Sequence, residues 1–192
     1  LETEPELEFR SMHPFCDELR TKEDSELIER WIKGQTGFPF LDACISYLNS
    51  NGWINFRMRA MIMSFASYNL WQPWQKTSPL LAELFTDFEP GIHISQVQMQ
   101  SGVTGINLPR IYSVFKQSLD QDPTAEWTKK IIPQLENVET DLIHNAELRD
   151  LYFEQIVDPK LSAKKARDTI WAMRKNKAVS YTHLRAHETS LH

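Results

Sequence analysis

The chain is poor in the residues that staple, hinge or span. Only two of its 192 residues are cysteine, Cys16 and Cys44. Two cysteines make no disulfide framework, so the chain reads as reduced and cytoplasmic. Glycine is scarce too, at six residues. No dinucleotide fingerprint, P-loop or Gly-x-Ser-x-Gly elbow is present, and Gly102-Val-Thr-Gly105 is too short for a phosphate loop. The longest largely apolar stretch without charge, Ala60 to Gln75, contains Ser64, Ser67, Asn69, Gln72 and Pro73. It is too short and too polar to span a bilayer, so no membrane association is expected. No segment alternates at period two and no repeat is seen, which argues against a sheet or a solenoid.

The net charge of −5 excludes a protein that coats nucleic acid by bulk charge. Residues 1–30 hold ten acids against four bases. The remainder is close to neutral, with a late basic cluster at Lys164, Lys165, Arg167, Arg174, Lys175 and Lys177. That cluster is either a solvated helix face or a phosphate-contacting edge.

What remains is helical punctuation, and the expected fold class is all-α. Residues 1–24 are acidic and patternless. Ser25 caps a helix to Lys33, with Gly34 as the stop. Pro39 opens a helix to about Leu48, closed by Asn51-Gly52. Ile54 to Trp71 reads as one long helix, apolar on nearly every face, at the centre of the domain. Ser78-Pro79 reads as a cap opening a helix to Phe88, residues 91–101 as a further helix, and Gly102 to Pro109 as a loop. Asp122-Pro123 opens a helix through Ile132. Ala146 to Phe153 and Ser162 to Ala178 are the last helical segments. Residues 179–192 hold three histidines without carboxylate or cysteine partners, so no metal site is read there. They resemble translated adapter sequence. The expected division is a domain over 1–178 and a non-native tail over 179–192 with no apolar face to pack.

Three features carry candidate chemistry. Arg57 and Arg59 lie about 200° apart on the apolar helix, so at least one must meet a carboxylate or an anionic ligand. Asp42 and Asp87 are the candidate partners. The run from Gly91 to Pro109 has no Asp, Glu, Lys or Arg but is dense in neutral hydrogen-bonding groups, among them Ser95, Gln96, Gln98, Gln100 and Asn107. It either lines a polar-reading cleft or forms the polar face of a packed helix. The third feature is six tryptophans. Trp71 and Trp74, a helical step apart beside Pro73, are either core volume or a stacking or redox pair.

A resemblance sharpens this. Trp31-Ile-Lys-Gly-Gln-Thr-Gly-Phe-Pro-Phe-Leu-Asp-Ala43, followed by Gly52-Trp53 and Arg57-Met-Arg59, resembles the FAD-binding domain of the photolyase/cryptochrome family. Arg110-Ile-Tyr, Asp120-Gln-Asp, Ile131-Ile-Pro-Gln-Leu135 and Ile156-Val-Asp158 extend the likeness over about residues 4–178. The resemblance implies an incomplete multi-helical flavin domain with FAD as cofactor. It also implies an antenna chromophore on an α/β domain outside this chain. Trp53, Arg59, Asp87, Glu89 and His93 match cofactor-binding positions, with Arg59 paired to Asp87. Arg57 and Arg110 match the DNA-facing side. Trp74 matches a member of an electron-transferring tryptophan chain, and Trp71 is the alternative donor.

Phe56, Met99 and Val97 depart from the residues of dimer-repairing members, and Thr21 marks a solvent end without tryptophan. The implied activity is blue-light-driven repair of pyrimidine photoproducts, a carbon–carbon lyase reaction on a lesion flipped out of damaged DNA. A cryptochrome-type photoreceptor without repair is the alternative.

Overall fold

The computed structural model describes residues 3–106 and 109–188, with side chains to residue 175. Among the described residues there are nine α-helices and no strand. They are α1 Ser25–Ile32, α2 Pro39–Asn51, α3 Phe56–Ser64, α4 Trp74–Leu84, α5 Pro90–Gln100, α6 Val114–Gln121, α7 Glu126–Ile131, α8 Thr140–Asn145 and α9 Pro159–Glu188. No helix of the described residues is long and apolar enough to cross a membrane.

The first two helices start and stop as local chemistry dictates. The cap of α1 is Asp24 rather than Ser25, its carboxylate accepting from Leu27 N at 3.1 Å. Pro39 sits in the first turn of α2, and Gly52 closes that helix at φ 70°. Phe38 caps α2 without a side-chain bond. The loop before it is instead held by Asp42, which is fully buried. Asp42 accepts from Thr36 N and Oγ1, Gly37 N and the hydroxyl of Tyr152. Asp42 is therefore a structural lock, not a partner of either arginine. Desolvation raises its pKa to about 6, against the four donors that favour its charge.

The long helix expected over 54–71 is nearly one element. It begins at Phe56 behind an Asn55 cap and widens into a π-turn over Phe65–Asn69. Trp71 then turns back at φ 56°, short of Pro73. Met61, Ile62, Phe65 and Ala66 of this segment are buried against Trp31 and Leu41 in the main core.

Several expectations are corrected. Ser78-Pro79 opens nothing: Pro79 lies inside α4, which starts after Pro73 in extended backbone. The proline at position 73 supplies the same start signal five residues earlier. Ala146 to Phe153 is not a helix. Ala146 adopts φ 51°, and only one 3-10 turn, Arg149–Leu151, forms there. Helices α6 and α8 were not expected, being short, at eight and six residues. Asp122 serves α7 from a distance, accepting from Thr128 N at 2.8 Å. The nominally patternless N-terminus holds two 3-10 turns, Pro5–Glu8 and Pro14–Cys16.

Helix α9 starts at Pro159, behind Asp158, and its backbone runs on to Glu188, across the expected boundary at 178. The packing of the expected tail and the side chain of Lys177 lie outside the described residues, as does Asn107. Lys164, Lys165 and Arg167 are exposed on α9.

Candidate functional site

Two helical stripes build one cleft. On α3, Phe56, Arg59, Ala60 and Met63 recur at the i, i+3, i+4, i+7 spacing that puts side chains on one face. On α5, Glu89, His93, Gln96 and Gln100 do the same from its cap onward. Leu81 of α4 and Phe85 after it close the space between them. The cleft holds about 580 Å³ of empty space, part of it open to solvent.

The polar groups sit on the stripes and the apolar groups behind them. Arg59 Nη2 lies 2.9 Å from Asp87 Oδ2. Its Nε donates to Ile54 O at 2.7 Å, and its guanidinium stands 4.2 Å from the centre of the Phe85 ring. Asp87 is held below the usual carboxylate range by that hydrogen bond. The two side chains are 24% and 48% exposed, so this is a rim pair and not the buried one that the apolar helix suggests. Arg57, on the opposite face, is exposed.

His93 is buried. Its Nε2 lies 3.1 Å from the carbonyl oxygen of Ser78 and 3.0 Å from Ser78 Oγ. A carbonyl only accepts, so Nε2 carries the proton. Burial, with Arg59 nearby, lowers the His93 pKa, and the ring stands edge-on to Phe85 and Phe88. Glu89 spends both carboxylate oxygens on the N-terminus of α5, accepting from Gly91 N and Ile92 N.

Trp53 stands beside the cleft, half exposed, its ring centre 5.9 Å from the Arg59 guanidinium. Arg110 is exposed, and its carbonyl takes a bond from Ser64 Oγ. Trp74 is buried and donates from Nε1 to Ser11 Oγ at 3.1 Å. It lies one turn before Ser78 on α4. Trp71 is not on that helix. The turn at Trp71 and Pro73 separates the two, so the shared helical side expected for them does not exist. The Trp71 ring instead faces the buried guanidinium of Arg20.

The arrangement offers a mostly apolar slot between two helices, with a cation and an anion at one rim and neutral acceptors along a wall. Such a slot suits a planar heteroaromatic ring. The family model described as the FAD binding domain of DNA photolyase matches residues 1–172. The chain belongs to the photolyase FAD-binding family. The photolyase-type domain is 33% identical over 132 residues to the deoxyribodipyrimidine photo-lyase of Buchnera aphidicola subsp. Baizongia pistaciae, covering 67% of this chain and 28% of that protein. It is 29% identical over 124 residues to cryptochrome DASH of Gloeobacter violaceus, covering 64% and 25%. The fold is that of an archaeal photolyase from Sulfolobus tokodaii, with TM-score 0.83 at 23% identity over 88% of this chain and 40% of that one. A bacterial class III photolyase from Agrobacterium tumefaciens superposes with TM-score 0.79 at 24% identity, covering 89% and 39%. The domain thus spans less than a third of the length of these two curated relatives.

Sequence reasoning missed Ser78, Phe85 and Phe88 as parts of the site, and named Gln96 only within the run that lines a cleft or forms a packed polar face. The signal for Gln96 was available, since it stands one helical turn after His93 in a run without Asp, Glu, Lys or Arg. Phe85 and Ser78 carry no such signal, because Phe85 reaches the cleft from the turn after α4 and Ser78 reaches His93 from within α4.

Proposed function

We propose that the cleft receives the isoalloxazine ring of FAD and that the full protein uses it for light-driven repair of pyrimidine photoproducts in DNA. The observation that carries this reading is the Arg59–Asp87 pair at the rim of an apolar slot in a photolyase FAD-binding domain. The residues present fit the ring: the lining is largely apolar, and a buried acceptor, Gln96 Oε1, has no partner within the chain. The chemistry that reduced FAD supplies when bound is donation of an electron under blue light.

This chain's own side chains hold and shield. Arg59 and Asp87 present opposite charges to the ring's polar edge. His93, neutral by burial, offers a ring face without adding charge. Glu89 holds the first turn of α5 in place, so its contribution to the cofactor is through α5. Trp53 walls the open side. Arg57 and Arg110, both exposed, supply phosphate contacts, which gives damaged DNA a local rather than a bulk attraction. Trp74 relays electrons toward the cleft. The antenna chromophore and the grip on the FAD phosphates belong to segments outside this chain. The location in this reading is cytoplasmic.

A second reading, a photoreceptor without repair, is favoured by Phe56. It is exposed at the cleft mouth, where the resemblance implies an asparagine near the lesion in dimer-repairing members. Purified full-length protein separates the two. Flavin absorption with light-dependent loss of defined photoproducts supports repair. Flavin absorption with no photoproduct loss supports photosensing.

A further inference from the structure

Of the three glutamines on helix α5, Gln96 and Gln98 stand two positions apart and have different fates. Gln98 is fully engaged: its Nε2 donates to Leu7 O at 2.7 Å and Arg10 O at 3.0 Å, and its Oε1 accepts from Met12 N at 2.6 Å. It staples the N-terminal segment to the domain. Gln96 points the other way. Its Oε1 is buried at the cleft wall and has no hydrogen-bond partner. A buried amide oxygen without a donor is unfavourable and uncommon in folded proteins.

Nothing across the cleft supplies that donor. Arg59 directs Nη2 to Asp87 and Nε to Ile54 O. His93 directs Nε2 to Ser78. Of the other residues lining the cleft, Phe56, Met63, Val97 and Ile92 donate nothing. The missing donor must come from what fills the cleft. A ligand whose faces are apolar and whose edge carries an N–H meets both demands.

We propose that Gln96 is a positioning residue whose amide carbonyl accepts a hydrogen bond from a ring N–H of the flavin, fixing the ring's rotation within the slot. This rests on the flavin reading of the cleft. The two are separated by using lumiflavin, the bare ring, which needs no grip on a phosphate tail.

Lumiflavin is titrated into the 192-residue chain, following fluorescence quenching and the absorption of the bound ring. The wild-type chain quenches and shifts the flavin bands. Gln96→Leu weakens binding by about tenfold and abolishes the shift, the scale of one buried hydrogen bond. Gln96→Glu, which keeps an acceptor at the same reach, recovers most of the affinity. Melting curves of both variants near that of wild type show that the fold is intact. Equal affinity and an unchanged spectrum in Gln96→Leu overturn the assignment while leaving the flavin reading standing. Failure of the wild-type chain to bind lumiflavin overturns both.

Discussion

The Arg20 guanidinium lies 4.5 Å from the centre of the Trp71 ring. Arg20 is only 6% exposed, and its Nε and Nη2 have no hydrogen-bond partner. Burial lowers its pKa to about 10, which leaves it charged at neutral pH. A cation against the face of an indole is attracted to the neutral ring and repelled by the ring's oxidised form. Trp71 is therefore expected to be the poorer electron donor of the two. Trp74, buried and bonded to the neutral Ser11 hydroxyl, carries no such penalty.

In the full-length protein, Trp74→Phe slows flavin photoreduction strongly with flavin content retained, while Trp71→Phe leaves the rate nearly unchanged. Flash spectroscopy on the two variants reads this directly. A slow Trp71→Phe variant beside a normal Trp74→Phe variant reverses the assignment.

The Arg59–Asp87 pair contributes little to stability. Both side chains reach solvent, so Asp87→Ala costs about 1 kcal/mol, the scale of an exposed pair, rather than the several expected of a buried one. Urea denaturation measures it. The same substitution weakens flavin binding, because it removes the counter-charge that aims Arg59.

The Asp42 lock makes stability depend on pH. Its folded pKa of about 6 stands above its ordinary value, so the folded state binds the proton more tightly than the unfolded chain. This site's contribution is fully present below about pH 4 and declines as the pH rises to about 6. Asp42→Asn flattens that part of the melting-temperature profile. It also lowers the whole curve, since an amide can accept from fewer of the four donors.

His93 acts in the opposite sense. Its pKa is depressed by burial, so its contribution is present above about pH 6.5 and is lost as the pH falls through the lowered folded value. Lumiflavin affinity falls over the same window, because protonation places a second, buried positive charge beside Arg59 in the cleft. His93→Gln, which keeps a donor, removes this pH dependence; an unchanged profile in that variant contradicts it.

The motif from Trp31 to Asp42 was the most legible part of the chain, and the structure shows why. Its residues act locally. Gly37 stands at φ 83° with the Gln155 backbone 2.6 Å from where a Cβ would sit, so glycine is required there. Thr36 and Asp42 bond across six positions, and Pro39 opens α2 in its own first turn. Short-range constraints of this kind leave a spacing in the sequence, and spacing is what the family likeness reads. The stripes of α3 and α5 were likewise available as helical periods. Arg59 and Asp87 could be paired only through that likeness, as they are 28 positions apart.

What the sequence determined by itself was the helical class, the starts of α1, α2, α3 and α5 to within two residues, the family, and the division of Arg57 from Arg59 onto different faces. Each follows from φ/ψ preference, capping or the 3.6-residue period, all of which act within a few residues. Only the tertiary structure decided that Asp42 locks a loop, that Glu89 is a cap, that Trp71 leaves the helix of Trp74 to meet Arg20, and that Gln96 faces an open cleft while Gln98 staples the N-terminus. Those outcomes depend on which helices pack against which. That choice is made by the summed burial of apolar faces across the whole chain, which no local pattern encodes.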